Sequence, residues 1–196
     1  MAPRARRDAT ETASEILDVA ERLVQVRGFN GFSYADVASE LGVTTAALHY
    51  HFASKAELGE ALITRYAARF GDALTEIDAR VDDPAAKLDA YADLYHDVLR
   101  DQRMCLCGML AADYQTLPPP MRDAVVQFFD DNEQWLARVL EDGKGDGSMH
   151  FAGSSAEAAQ MIVGGLEGAM LVARPYGDAE RFRAAAARLL ASVTNG

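Results

Sequence analysis

The chain has 196 residues, which at about 100–200 residues per domain means one compact unit or two small ones. Its 49% hydrophobic and 25% charged residues suit a globular protein, and no apolar run approaches the roughly 18 residues of a membrane span, so an integral membrane protein is not expected. The N-terminal stretch MAPRARRDATETASEIL lacks the apolar core of an export signal, and two cysteines are too few for a disulfide scaffold, so the expected compartment is a reducing cytoplasm. A net charge of −11 argues against a non-specific nucleic-acid coat, but the charge is uneven: residues 1–70 hold 8 Lys/Arg against 9 Asp/Glu, and residues 71–196 hold 11 against 21.

In chain order, a basic arm at Arg4, Arg6 and Arg7 precedes a capping box, Thr12-Ala13-Ser14-Glu15. Ile16, Leu17, Ala20, Leu23 and Val24 then form one helical stripe that stops at Gly28. Phe29 and Phe32 flank a turn at Asn30-Gly31, and Ser33 caps a short helix with Val37, Ala38 and Leu41 inward, ended by Gly42. Thr44 caps a third helix to about Phe52. Ser54-Lys55-Ala56-Glu57 opens a long helix marked by Leu58, Leu62, Tyr66, Phe70, Leu74, Ile77 and Val81, which Asp82-Asp83-Pro84 breaks. Leu88, Tyr91, Tyr95, Val98 and Leu99 mark the next helix, to about Arg100, and residues 103–115 hold a short one. Pro118-Pro119-Pro120 predicts an extended link, followed by a helix over 120–142 that ends at Gly143 and a loop over 143–153. Ser154-Ser155-Ala156-Glu157 starts a helix to about Arg174, and a last helix runs from Asp178 to about Val193. The expected fold is all-α, with nine helices, no strand and no internal repeat.

The stretch FSYADVASELGVTTAALHYHFASKAEL, Phe32 to Leu58, carries the chemistry. Two short helices joined by a Gly-Val-Thr turn have the spacing of a helix-turn-helix, whose second helix enters the DNA major groove. Val43 and Leu48 anchor that helix, and its outer face carries Thr44, Thr45, Ala47, His49, Tyr50 and His51. Threonine hydroxyls and small methyls meet base edges and thymine methyls. Ser33 and Tyr34 lie at a helix start, where unpaired N–H groups favour phosphate, and Lys55 adds a charge at the next start. No acidic residue falls between Glu40 and Glu57, a gap of sixteen positions in an acidic chain.

Over residues 13 to about 62, through GFNGFSYADVASELGVTTAALHYHFASKAEL, the chain resembles the TetR family of bacterial transcription regulators. The family often has Gly or Pro where this chain has Ala46, and usually Tyr where it has His49. The recognition helix holds no Arg or Lys, so the common bidentate guanine contact is missing there. The resemblance implies an N-terminal DNA-binding domain at 1–53 (arm 1–9, helix-turn-helix 33–52), a linking helix at 54–82, and a C-terminal regulatory and dimerisation domain at 83–196. It implies a homodimer through helices near 120–142 and 155–174, and Gly164, Gly165, Gly168 and Ala169 give the latter a small-residue face beside Met161, Leu166 and Met170. A dimer implies a near-palindromic double-stranded operator. Base contacts are expected from Thr45, Ala46, Ala47 and His49, and phosphate contacts from Ser33, Tyr34, Thr44, Tyr50, His51 and Lys55.

An unidentified small-molecule effector is the family's usual input. Pocket candidates are Tyr91, Tyr95, His96, Met104, Cys105, Met109, Tyr114, Phe128, Trp135, Met161 and Met170, with plain core packing as the alternative for each. No internal charge pair stands out, which points to an apolar ligand. Cys105-Leu106-Cys107 has too few ligands near it for a metal and poor geometry for a disulfide. The pattern C-L-x-G-x-L-A-A is similar to a TetR subgroup whose cysteine meets electrophiles or oxidants, so Cys105 and Cys107 are thiol-sensor candidates, with small core residues as the other reading. No phosphate loop, H-E-x-x-H or G-x-S-x-G is present, and no metal or cofactor is expected. The expected function is a sequence-specific transcription regulator, a homodimeric repressor released by a small apolar ligand or by thiol modification. The alternative is a small-molecule binding or scavenging protein with a vestigial DNA-binding unit.

Overall fold

The computed structural model describes residues 9–194, so the arm at Arg4, Arg6 and Arg7 lies outside the described residues. Those residues form nine α-helices and no strand: α1 (Ala9–Arg27), α2 (Tyr34–Leu41), α3 (Thr45–His51), α4 (Lys55–Arg80), α5 (Pro84–Arg100), α6 (Leu106–Ala112), α7 (Pro119–Asp146), α8 (Ser155–Ala173) and α9 (Ala179–Thr194). Short 3-10 turns at Phe29–Gly31, Tyr114–Thr116 and Arg174–Tyr176 complete them.

Local chemistry explains most boundaries. The Ser33 hydroxyl accepts the Asp36 N–H while Asp36 accepts the Ser33 N–H, a reciprocal box that starts α2. Gly42 closes α2 in the left-handed region (φ 65°), where a side chain would be strained. Thr44, Ser54, Asp83 and Ser154 each accept an N–H of the following first turn. The Ser54 box is incomplete, because the Glu57 carboxylate takes the N–H of Ala53 instead.

Four expectations need correction. Helix α1 already includes Ala9, ahead of the Thr12 box, because no breaker precedes that box. Pro119 and Pro120 are helical rather than linking, since a missing N–H costs nothing in a first turn; Pro118 alone is extended, as the cap. Helix α7 continues past Gly143 to Asp146: Gly143 is buried where Met149 packs so closely that a Cβ would lie 2.6 Å from its sulfur. Finally, Ser155–Tyr176 is long and apolar enough to cross a membrane by length and composition, with a mean hydropathy of 1.2. In the structure it packs between α7 and α9.

One continuous core joins the two ends of the chain. Ile16, Ala20, Val24, Val37 and Leu48 lock α1, α2 and α3 together over Leu58 and Leu62 of α4. Farther along, α4 packs on α5 and α7, where Leu74, Leu88, Leu136 and Leu140 are buried. Ion pairs also tie α1 to α4: Arg65 reaches Asp18 and Glu21 at 2.8 Å each, and Arg69 pairs with Glu21. Helix α4 is therefore shared by both ends of the molecule.

Candidate nucleic-acid interface

Helix α3 is anchored by Leu48, which is fully buried, and by Phe52 at its end. This leaves Thr45, Ala46, His49 and Tyr50 exposed on the other side, with Ala47 and His51 half-buried. Tyr50 is 82% exposed, a large aromatic with an edge-on contact to His51 at 5.2 Å between centroids. The Thr44 oxygen accepts the Ala47 N–H at 3.3 Å, so its own proton is left to donate outward. His49 Nδ1 meets the Ala53 carbonyl at 3.2 Å. A carbonyl only accepts, so Nδ1 carries a proton and Nε2 points away from this contact.

Three of the expected phosphate contacts already hold partners within the protein, Ser33 while exposed and Tyr34 and Lys55 while half-buried. Lys55 turns inward: Nζ donates to the carbonyls of Phe29 (2.5 Å) and Phe32 (2.6 Å) and sits over both rings, 4.7 and 4.2 Å from their centroids. Burial pulls its pKa down, against the pull of Asp113 and Asp36. The Tyr34 hydroxyl donates to the Phe52 carbonyl at 2.9 Å and its ring packs on His49. Burial, with Glu57 nearby, pushes Tyr34 up to about 12. The Ser33 hydroxyl donates to Asp36 at 2.6 Å, and this hydrogen bonding holds Asp36 below the usual carboxylate range. Asp36 thus already supplies the negative charge at the start of α2.

The helix-turn-helix is joined to the rest of the chain by polar contacts that sequence reasoning did not reach. Asp113, just after α6, accepts the Phe29 N–H at 2.7 Å and the Asn30 N–H at 3.3 Å. The preceding Gly28 has φ 80°, and a Cβ there would lie 2.9 Å from the Asp113 carboxylate. Asn30 donates to Thr116 at 2.7 Å, the Met104 N–H donates to the Gln25 carbonyl at 3.2 Å, and Arg174 donates to the Val26 carbonyl.

Of the pocket candidates, Tyr91, Tyr95, Phe128 and Trp135 are buried and brought together with Tyr66 and the half-buried Phe70 in a ring cluster. Tyr91 bonds Tyr95 at 3.1 Å and donates to Asn132 at 3.0 Å, while Trp135 donates to Asp78 at 2.8 Å. Met104, Cys105 and Met170 are also buried, and the Met170 sulfur accepts the Cys105 N–H at 3.4 Å. The other candidates lie apart. His96 packs on Phe182 and Arg183, Tyr114 lies beneath Arg122, Met109 touches Arg174, and Met161 is 45% exposed on α8.

Cys105 caps α6, with its sulfur accepting from Tyr66 (3.7 Å) and from the Gly108 N–H (3.5 Å). Both cysteines are free and buried, and burial first, then Glu167, pushes both thiols well above their usual range. Glu167 itself is raised by burial from 4.5 to about 7, against a hydrogen bond from Cys105. It was missed among the site residues, although the signal was there: between Glu157 and Arg174 it is the single charged residue of the most apolar helix.

A three-helix reading head on a helical regulatory body defines a helix-turn-helix transcription regulator. The model of the bacterial regulatory proteins of the tetR family matches residues 16–62, and that of the tetracyclin repressor-like C-terminal domain matches residues 84–189. The chain belongs to the TetR family. It is 33% identical over 152 residues to the regulator AcrR of Shigella flexneri, covering 72% of this chain and 70% of that one. It is 41% identical to the regulator TtgR of Pseudomonas putida over 63 residues, which span 32% of this chain and 30% of that relative. A TetR-family regulator from Agrobacterium tumefaciens superposes with a TM-score of 0.92 at 31% identity, covering 95% of this chain and 100% of that one. These relatives are named as transcription regulators.

Proposed function

We propose that the chain is a cytoplasmic, homodimeric repressor that reads a near-palindromic operator through α3 and releases it when a small molecule enters the C-terminal domain. The outward face of α3, with Thr45, Ala46, His49 and Tyr50 exposed over the buried Leu48, carries this reading. Thr45, Ala46 and Ala47 offer methyls to thymine. His49 presents the Nε2 edge of its ring to the bases. Thr44, Tyr50 and His51 remain for phosphate, whereas Ser33, Tyr34 and Lys55 serve to hold the head together.

In this reading the partner subunit packs on α8, with α9 beside it. Met161, Leu171 and Val172 are exposed on α8, and Gly164 and Gly168 have open space before them. The outer face of α9 carries the small residues Ala184, Ala185 and Ala187. The outer face of α7 carries Asp123, Asp130, Asp131 and Glu141, which disfavours the α7–α8 pairing expected from the resemblance.

Release by a ligand is favoured over release by thiol chemistry, because a buried, protonated thiol is a poor nucleophile. Selection of binding sites from a random duplex library tests the proposal. A two-fold symmetric motif is the expected result. Folded protein that enriches no motif at low salt, where phosphate contacts are strongest, would overturn it in favour of a small-molecule binding protein.

A further inference from the structure

Among the described residues three buried side-chain polar atoms lack a partner: Gln25 Oε1, Arg65 Nε and Glu167 Oε1. Of these only Glu167 belongs to an acidic side chain. Its other oxygen lies over Gly108 of α6, where a Cβ would overlap it, so the one residue of α6 without a side chain lies beneath the carboxylate. The Cys105 thiol hydrogen-bonds the carboxylate, and the Cys107 thiol and the phenols of Tyr66, Tyr91 and Tyr95 lie within electrostatic range of it. Arg174, two turns along α8, is committed to the Val26 carbonyl and the Met109 sulfur, and no ion pair to Glu167 is present among the described residues.

A buried carboxylate without a countercharge is costly, and one oxygen with no hydrogen bond adds to that cost. Thiols, a thioether and phenol rings are polarisable surroundings that suit a weakly hydrated cation. A hard metal ion would need several more oxygen ligands. We infer that Glu167 is the recognition group for a cationic organic effector, an ammonium on an apolar body, whose positive end lies between α6 and α8 over Gly108. The inference rests on the regulator reading and corrects the expectation of an uncharged ligand. It also supplies a route to the DNA end, since α6 carries Gly108 against Glu167 at its start and leads into Asp113, which clamps Phe29 and Asn30.

Binding to the full chain tests it without DNA, using the fluorescence of Trp135, the single tryptophan. The probes are phenyltrimethylammonium and its neutral isostere tert-butylbenzene. A charge-assisted contact predicts roughly ten- to a hundredfold tighter binding of the ammonium. Glu167→Gln should abolish that preference while retaining the binding of tert-butylbenzene. Gly108→Ala, which displaces the carboxylate, should weaken it. Equal affinity for the two probes, no saturable binding of the ammonium, or a preference that survives in Glu167→Gln would overturn the inference. If the protein selects a DNA motif yet shows no preference for the ammonium, this inference fails alone. If the preference is found in a protein that selects no motif, the regulator reading fails alone.

Discussion

Helix α3 carries its polar side chains outward, whereas α8 carries its charged residue inward. In the head, Leu48 is buried so that Thr45, His49 and Tyr50 can be exposed, and the polar work is done in solvent. In the body, Tyr91, Tyr95, Phe128 and Trp135 fill the centre, and the Glu167 carboxylate lies over Gly108 with one oxygen unpartnered. A reading surface needs rigid support and exposed groups. An effector site needs a group that becomes more stable when something arrives. The head presents polar groups over a packed apolar support, whereas the body keeps an acidic group with one unpartnered oxygen.

The largest expected effect breaks the head's support. Leu48→Ala removes a fully buried anchor and should cost about 2–5 kcal/mol in urea unfolding, with DNA binding lost alongside. Glu167 sharpens the contrast at the other end. It holds its proton more tightly in the folded than in the unfolded chain, so its contribution to stability is full below pH 4.5 and is lost as the pH rises through about 7. Unfolding curves of wild type and Glu167→Gln should therefore diverge with rising pH, the Gln variant gaining of the order of 3 kcal/mol by pH 8. Parallel curves would show that the carboxylate is not buried uncompensated.

Asp113→Ala tests the joint between the two regions. It removes a charged acceptor from the Phe29 and Asn30 N–H groups and should cost about 1–3 kcal/mol, with DNA affinity becoming less responsive to any effector. Lys55→Met tests the smallest and sharpest point. Stability should fall, because two carbonyls lose their donor, but the salt dependence of DNA binding should not change. A slope lower by about one would restore Lys55 as a phosphate contact.

Much of the fold was legible because its signals are local. Ser33, Thr44 and Ser154 cap their helices through residues three positions on, and Gly42 needs only its own φ. The orientation of α3 was legible for the same reason, since its apolar anchor and polar face alternate within seven residues. The misreadings are tertiary. Gly143 looked like a helix stop but is a packing site for Met149. Lys55 looked like a surface cation, and nothing in its neighbours in sequence shows that Phe29 and Phe32 offer it two carbonyls and two rings. Glu167 was passed over because motif reading seeks clusters, whereas its meaning lies in its isolation within an apolar helix.

The central claim is that α3 reads bases with Thr45 and holds the backbone with Tyr50. Site selection with wild type, Thr45→Ala and Tyr50→Ala side by side tests it most directly. The account predicts a two-fold symmetric wild-type motif, the same motif at lower recovery for Tyr50→Ala, and a change of about 1–3 kcal/mol in preference at one position of each half-site for Thr45→Ala. An unchanged motif with uniformly weaker binding for Thr45→Ala would contradict it.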